Sequence, residues 1–151
     1  QNKDRITNIE TINGGSGDDI IDITSPDTQL SYDMVINGEA GDDVIWASSG
    51  KDTLNGGDGN DVLFGGKGID TLTGGKGADT FEFEKDSGND IVKDYSKSDG
   101  DILRFYIQSG DEKTLKVKSS NSVEWGSLSI ELENTHITKL DDLNFEFISV
   151  I

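Results

Sequence analysis

Aspartates recur at a fixed spacing in the first half of the chain, and they are its candidates for metal chemistry. Six of them occupy the sixth position of a nine-residue unit: Asp19, Asp43, Asp52, Asp61, Asp70 and Asp79. Five units are contiguous over residues 38–82, and one, residues 14–22, stands apart. Stacked units would align the carboxylates at the ~5 Å spacing of neighbouring strands, where like charges repel. A bound cation would remove this repulsion, so the spacing predicts a metal site.

Glycines recur in the same units and predict a turn around each aspartate. They occupy position one at Gly14, Gly38, Gly56, Gly65 and Gly74, and position four at Gly17, Gly41, Gly50, Gly59, Gly68 and Gly77. Glycine tolerates positive φ and lets backbone carbonyls approach a ligand. Ca²⁺ takes six to eight oxygen ligands, whereas Mg²⁺ retains its waters. We therefore expect Ca²⁺, held by the aspartates and by carbonyls of the glycine turns.

The last three residues of each unit are β-prone and predict a short strand. Position eight is always a large apolar residue, as in Ile21, Ile45, Leu54, Leu63, Leu72 and Phe81. In a strand the middle residue of three points inward and its neighbours point outward. A single unit cannot bury that residue alone, so the period predicts an all-β solenoid of stacked units.

The composition restricts the partners. The chain has 30 acidic and 13 basic residues and a formal net charge of -17, which disfavours nucleic acid and anionic membranes. It has no cysteine, so disulfides and thiolate metal sites are excluded. No apolar run has the ~18 residues of a membrane span. Because the first residues, QNKDRITNIE, contain neither an initiator Met nor a secretory signal, we expect a longer parent protein with an N-terminal remainder.

The units GGDGNDVLF, GGKGIDTLT and GGKGADTFE resemble the GGxGxDxUx nonapeptide of RTX (repeats-in-toxin) proteins. The resemblance implies a parallel β-roll, a right-handed β-helical solenoid in which each turn forms half of a calcium site. Each ion would lie between turns two units apart, which implies the pairs Asp43 with Asp61, Asp61 with Asp79, and Asp52 with Asp70. With degenerate units included, we expect roughly four to seven Ca²⁺ ions.

Three further segments resemble degenerate units. Residues 28–36 place Asp33 at position six and Val35 at position eight. Residues 85–93 retain Gly88 and Asp90, and residues 96–104 retain Asp101. Asp90 and Asp101 are therefore further candidate metal ligands. We expect the roll to occupy residues 1–103.

The flank at residues 104–151 contains few glycines and several alternating segments, such as RFYI, TLKVKS and SLSIELE. The alternation predicts antiparallel strands that cap the open end of the roll, with Trp125 in their core. The resemblance to RTX proteins implies an uncleaved type I secretion signal in this flank. It also implies export by a type I secretion machinery to the extracellular medium or the cell surface.

The main functional hypothesis is a calcium-binding module that folds outside the cell and supports the secretion and stability of a larger bacterial protein. The alternative is a carbohydrate- or surface-binding accessory module. Trp46 and Phe64 occupy position nine, which is expected to face outward, and they either form a carbohydrate-stacking platform or pack under the flank or under residues 23–37. We expect no enzyme activity, since the sequence contains no HExxH, GxSxG or Walker motif. The only histidine, His136, is expected to have a structural or solvent-exposed role.

Overall fold

The structure of the chain, a computed structural model, describes residues 10–24, 32–108 and 115–150. Strands dominate this part of the chain, and its only helical element is a short 3₁₀ turn at Leu140–Asp142. None of the described residues belongs to a helix with the length and apolar character needed to cross a membrane. The strands are β1 Thr11–Ser16, β2 Ile20–Asp22, β3 Val35–Ala40, β4 Val44–Trp46, β5 Ser49–Gly50, β6 Thr53–Asp58, β7 Val62–Phe64, β8 Lys67–Gly68, β9 Thr71–Lys76, β10 Thr80–Glu84, β11 Asn89–Val92, β12 Ile102–Ile107, β13 Lys116–Ser119, β14 Ser122–Trp125, β15 Leu128–Leu132 and β16 Phe145–Ser149.

Two sheets form the two sides of a stack. Sheet A has the strand order β1-β3-β6-β9-β11-β15-β14-β13, and sheet B has the order β16-β12-β10-β7-β4-β2. Successive nine-residue units alternate between the sheets, so each strand pairs in parallel with the strand two units along. Leu54 is level with Leu72 in sheet A, and Leu63 is level with Phe81 in sheet B. This arrangement confirms the predicted all-β solenoid and β-roll.

The position-eight side chains fill the space between the sheets. Those fully shielded from solvent are Ile36, Leu54, Leu72 and Val92 from sheet A, and Ile45, Leu63, Phe81 and Leu103 from sheet B. Ile21 is only partly buried, because β2 is an edge strand of sheet B. Each unit therefore buries its apolar residue only against its neighbours, as expected for a solenoid.

The degenerate unit before residue 38 lies one residue out of its predicted register. Val35 pairs with Thr53, which is at position seven of its own unit. Met34 therefore occupies position six and Ile36 position eight, and the prediction that Asp33 and Val35 fill these positions was wrong. Burial explains the register: Ile36 is fully buried and Met34 nearly so, whereas Val35 is 39% exposed.

The C-terminal flank combines antiparallel and parallel pairing. Strands β13, β14 and β15 form the antiparallel part that the alternating sequence predicts. In addition, β15 pairs in parallel with β11, and β16 pairs in parallel with β12. The flank thus adds one parallel strand to each sheet, which pairs backbone groups that an open edge would leave exposed. Trp125, which is 2% exposed, packs edge-on against Phe105 with ring centroids 5.5 Å apart.

Candidate metal centre

The position-six aspartates form two ladders, one on each side of the stack. Ladder one consists of Asp19, Asp43, Asp61, Asp79 and Asp101, and ladder two consists of Asp52, Asp70 and Asp90. Within each ladder the backbone N–H of one aspartate donates to Oδ1 of the next, at N···O distances of 2.8–3.0 Å. The structure therefore brings together all three pairs implied by the repeat, and it also brings Asp90 and Asp101 into line with them.

The second carboxylate oxygen of these aspartates is buried without a hydrogen-bond partner. Among the described residues this holds for Oδ2 of Asp43, Asp52, Asp61 and Asp70. A buried carboxylate oxygen without a partner is costly, because burial removes the water that would otherwise solvate its charge. Four such atoms at equivalent positions indicate a site that a cation would complete.

The position-one glycines lie next to these oxygens, at a distance that leaves no room for a side chain. A methyl group on Gly38 would overlap Asp43 Oδ2, and one on Gly56 would overlap Asp61 Oδ2. The same relation holds for Gly65 with Asp70 and for Gly74 with Asp79, and a methyl group on Gly14 would lie 2.8 Å from Asp19 Oδ2. Glycine at position one therefore leaves the space around the carboxylate open. In the unit at residues 47–55, Ala47 takes this position and is fully buried.

Backbone carbonyls lie between successive turns on the same side. A methyl group on Gly59 would overlap the carbonyl oxygen of Gly41, and one on Gly77 would overlap that of Gly59. The same crowding occurs at Gly68 against Gly50 O and at Gly41 against Gly17 O. Each turn thus presents carbonyl oxygens to the next turn, and at position one a methyl group on Gly56 would overlap both the Gly74 carbonyl oxygen and Asp61 Oδ2. This all-oxygen donor set suits a hard cation such as Ca²⁺.

No three carboxylate or imidazole side chains among the described residues converge on one point. A cation held here would therefore take part of its coordination from other oxygens, and the backbone carbonyls of the turns are available for this. Glycine-rich turns allow this, since they lack the side chains that would keep the next turn away. Two aspartates and several carbonyls are consistent with the ligand number of Ca²⁺.

The electrostatics of the ladders favour neutralisation of their charge. Burial raises the pKa of the Asp70 carboxyl from its ordinary value to about 7, and it raises the pKa values of Asp79 and Asp90 to about 6. Hydrogen bonds from the preceding turn oppose these shifts, and the charges of neighbouring ladder aspartates increase those of Asp70 and Asp79. Burial also raises the pKa values of Asp52, Asp61 and Asp101.

Asp94 is a functional candidate that the repeat does not reveal. Its two oxygens accept hydrogen bonds from the N–H groups of Gly74 and Gly75, at 2.9 and 2.8 Å. Asp94 is the first residue after the degenerate unit 85–93, where the repeat would place its position-one glycine. An aspartate at this position is the sequence signal that could have identified it. Asp101, at the end of ladder one, also differs from the inner aspartates, because its Oδ2 accepts the N–H of Ser96 at 2.7 Å.

The remaining candidates lie away from the ladders. His136 is exposed, and Trp46 and Phe64 lie on the outer surface of sheet B. The structure does not bring any of the three to a carboxylate ladder.

One family matches the chain: the RTX calcium-binding nonapeptide repeat (4 copies), at residues 7–22, 35–63 and 55–92. No curated protein matches it. The matched residues include every ladder aspartate from Asp19 to Asp90, whereas Asp101 lies beyond them. The repeat and the two ladders therefore coincide over most of the roll.

Proposed function

We propose, since the chain belongs to the RTX family of calcium-binding repeat proteins, that its β-roll is a calcium-dependent folding module of a larger secreted protein. The β-roll is a structural Ca²⁺-binding module rather than a catalytic fold. Calcium binding would control folding, so that the roll folds where calcium is abundant and stays unfolded where it is scarce.

The buried Oδ2 atoms of Asp43, Asp52, Asp61 and Asp70 carry this proposal. Folding brings these carboxylates into the roll and next to one another, which is unfavourable without a counter-charge. Calcium bound between the turns would supply that charge. The turn already positions the oxygens of these aspartates. They would therefore hold the ion between two successive turns on the same side of the roll.

The ladders offer six intervals with an aspartate on both sides. Four lie in ladder one, between Asp19 and Asp101. Two lie in ladder two, between Asp52 and Asp90. We propose one ion in each interval, a number within the range that the repeat predicts.

Linkage gives the size of the effect. A ligand that binds only the folded state stabilises it by RT ln(1 + [L]/Kd) for each site, about 1.4 kcal/mol for every tenfold excess over Kd. Because the roll folds as one cooperative unit, the stabilisation free energies of its several sites add. The folded fraction therefore rises steeply with calcium concentration. Extracellular modules commonly bind Ca²⁺ at roughly 10⁻⁴–10⁻³ M, far above cytosolic levels.

Far-UV circular dichroism during a calcium titration tests the proposal directly. We expect a cooperative coil-to-β transition with Ca²⁺ and none with Mg²⁺, which dehydrates reluctantly and prefers octahedral geometry. A chain that is equally folded after thorough chelation would contradict a folding switch, because the roll would then need no counter-charge.

Asp43 and Asp42 provide a matched pair of variants. Asp43 is buried in ladder one, whereas the neighbouring Asp42 is exposed and accepts the N–H of Asn60 at 2.8 Å. We expect Asp43→Asn to raise the calcium concentration at the midpoint and Asp42→Asn to leave it nearly unchanged. Equal effects would indicate that the overall negative charge, and not the ladder, governs folding.

We also propose that this switch supports export through a type I secretion machinery. An unfolded acidic chain would pass through the machinery, and folding at its outer end would oppose return. In cells that secrete the parent protein, chelation of extracellular calcium should slow its release, as should Asp43→Asn but not Asp42→Asn. Release that is unaffected by calcium would contradict the export role and leave the folding role untouched.

A further inference from the structure

The outer surfaces of the two sheets differ in chemistry. On sheet A the outward residues at positions seven and nine are mostly polar, as in Thr53 and Asn55 or Thr71 and Thr73. On sheet B the equivalent residues are Val44 and Trp46, then Val62 and Phe64. The calcium repeat requires no aromatic residue at these positions. The aromatic surface of sheet B therefore needs another explanation.

A cavity of about 290 Å³ lies on this surface of sheet B. Three aromatic rings line it, those of Trp46, Phe64 and Tyr106, together with the carboxylates of Glu82 and Glu84. Trp46 is 37% exposed, so its ring remains available to a ligand. Of the described residues that line the cavity, none is cationic.

The polar side of this aromatic cavity is fixed by a network of side chains. The Tyr106 hydroxyl donates to Glu82 Oε1 at 2.7 Å, and Arg104 Nη1 donates to the same oxygen at 2.9 Å. Arg104 also binds Glu146 through Nε. One guanidinium thus serves two carboxylates, Glu82 in the lining of the cavity and Glu146 on the neighbouring strand β16, and the three groups together carry one negative charge. Glu84 adds a second negative charge at the cavity.

The neighbouring concavity is less favourable to a positive group. It shares Glu84 and Tyr106 with the aromatic cavity, and Lys67, Lys85 and Asp86 also line it. Its two basic and two acidic residues balance, so it has no excess of negative charge. A cationic ligand would therefore favour the Trp46 and Phe64 side, whose described lining includes two carboxylates and no cation.

We propose that the aromatic cavity binds a small molecule that carries an alkylated ammonium group. Aromatic faces attract such cations through their quadrupoles, with Trp the strongest, and alkyl groups on the nitrogen add apolar contact. The carboxylates complement the charge. Ca²⁺ is a poor occupant because the cavity offers rings where that ion needs six to eight oxygens. This site is separate from the ladders and independent of the export role.

Choline and its neutral carbon isostere, 3,3-dimethylbutan-1-ol, form a matched pair of probes with nearly the same shape. The experiment uses the full chain in saturating calcium, with Trp125→Phe so that Trp46 is the only tryptophan reporter. Fluorescence and ligand-observed NMR would measure binding. We expect choline to bind at least about tenfold more tightly than the isostere, the difference that a partly desolvated cation–π contact provides.

Three variants locate the site. Trp46→Ala should weaken choline binding by about tenfold, and Glu84→Gln should weaken it and reduce its salt dependence. Thr73→Ala, at position nine of sheet A, should have no effect. Circular dichroism in calcium verifies that each variant is folded.

Three outcomes would overturn the proposal. Equal binding of choline and the isostere would mean that the cavity is only apolar. Binding of neutral oligosaccharides but not choline would assign the aromatic surface to glycans instead. Absence of choline binding at high millimolar concentration, in the unsubstituted and folded chain, would mean that the cavity does not recognise ammonium groups.

Discussion

The backbone N–H of Asp43 donates a 2.8 Å hydrogen bond to Oδ1 of Asp61, 18 residues further along the chain. Oδ2 of Asp61 is buried without a hydrogen-bond partner. The two oxygens of one carboxylate therefore have different roles, since one holds the preceding turn in place and the other remains for a cation. Asparagine can keep the first role through its side-chain oxygen but loses the negative charge that the second requires.

Asp70→Asn should act in opposite directions with and without calcium. In the metal-free roll the substitution removes a buried carboxyl group whose pKa is raised to about 7, and with it a buried negative charge. The metal-free folded state should therefore become more stable. In the calcium-loaded roll it removes a charged ligand, so the calcium midpoint should rise by roughly tenfold, or about 1.4 kcal/mol. A titration with a stabilising osmolyte in chelator, followed by circular dichroism, measures the first effect, and a calcium titration measures the second. A loss of stability under both conditions would mean that Asp70 acts mainly through packing.

The metal-free roll should be more stable at pH 5 than at pH 8. The pKa values of Asp70, Asp79 and Asp90 are raised by burial to about 7, 6 and 6, above the ordinary value of 3.8 that applies to the unfolded chain. The folded state therefore binds more protons than the unfolded state between these values. Its stability is fully present below the unfolded pKa and is lost as the pH rises through about 6–7.

Circular dichroism of the calcium-free chain across this pH range tests the linkage. Protons and calcium compete for the same carboxylates, so the calcium midpoint should rise as the pH falls below about 7. Asp70→Asn should flatten the pH dependence, because it removes the group with the highest raised pKa. Because the calcium-free chain is expected to be largely unfolded, the readout is the concentration of a stabilising osmolyte at the folding midpoint, and an equal midpoint at pH 5 and pH 8 would contradict this prediction.

Gly59→Ala should be far more damaging than Gly17→Ala, although both glycines occupy position four and have positive φ. A methyl group on Gly59 would overlap the Gly41 carbonyl of the preceding same-side turn, whereas one on Gly17 would have no atom within 4 Å. Both variants incur the cost of a positive φ, and only the first also forces two turns apart. We expect an additional loss of roughly 1–3 kcal/mol for Gly59→Ala in saturating calcium. Equal losses in chemical unfolding would mean that backbone conformation alone selects glycine here.

Glu39→Gly should stabilise the roll. Glu39 occupies position two with φ of 79°, the left-handed region that favours glycine and that glycine adopts at this position in Gly57 and Gly75. Relief of this conformation is partly offset by the greater freedom of glycine in the unfolded chain, which leaves a net gain of about 0.5–1 kcal/mol. Thermal unfolding in calcium measures the change. Glu39→Ala is the matched control, since it removes the same exposed side chain but keeps the strained φ and should give no gain.

The sequence predicts the ladders better than it predicts the ends of the roll. Position six and position eight follow from the period alone, because stacking repeats the same environment every 18 residues. The sequence of residues 28–37 is compatible with two registers of the repeat, because each register places an apolar residue at position eight. Only the pairing of Val35 with Thr53 distinguishes the two registers. The sequence also gives no signal that β16 runs parallel to its neighbour. Its direction depends on its pairing with β12, the strand at the open edge of sheet B.

Met34 marks the place where ladder two lacks a carboxylate. Its N–H donates to Asp52 Oδ1 at 2.9 Å, as the N–H of one aspartate donates to the next in each of the six ladder intervals, and its side chain is buried. Met34→Asp should therefore complete one more interval with an aspartate on both sides and bind one more calcium ion. Isothermal titration calorimetry and metal analysis of the folded chain measure the number of ions.

Met34→Asp should also weaken the metal-free roll, because it adds a buried charge next to the Asp52 carboxyl, whose pKa burial already raises. Met34→Leu is the control, since it keeps an apolar side chain of similar volume and should change neither the ion number nor the calcium midpoint. If Met34→Asp left the number of ions unchanged, a second aspartate would not be sufficient for a site. The carbonyl geometry of the turn, rather than its carboxylates, would then limit binding in ladder two.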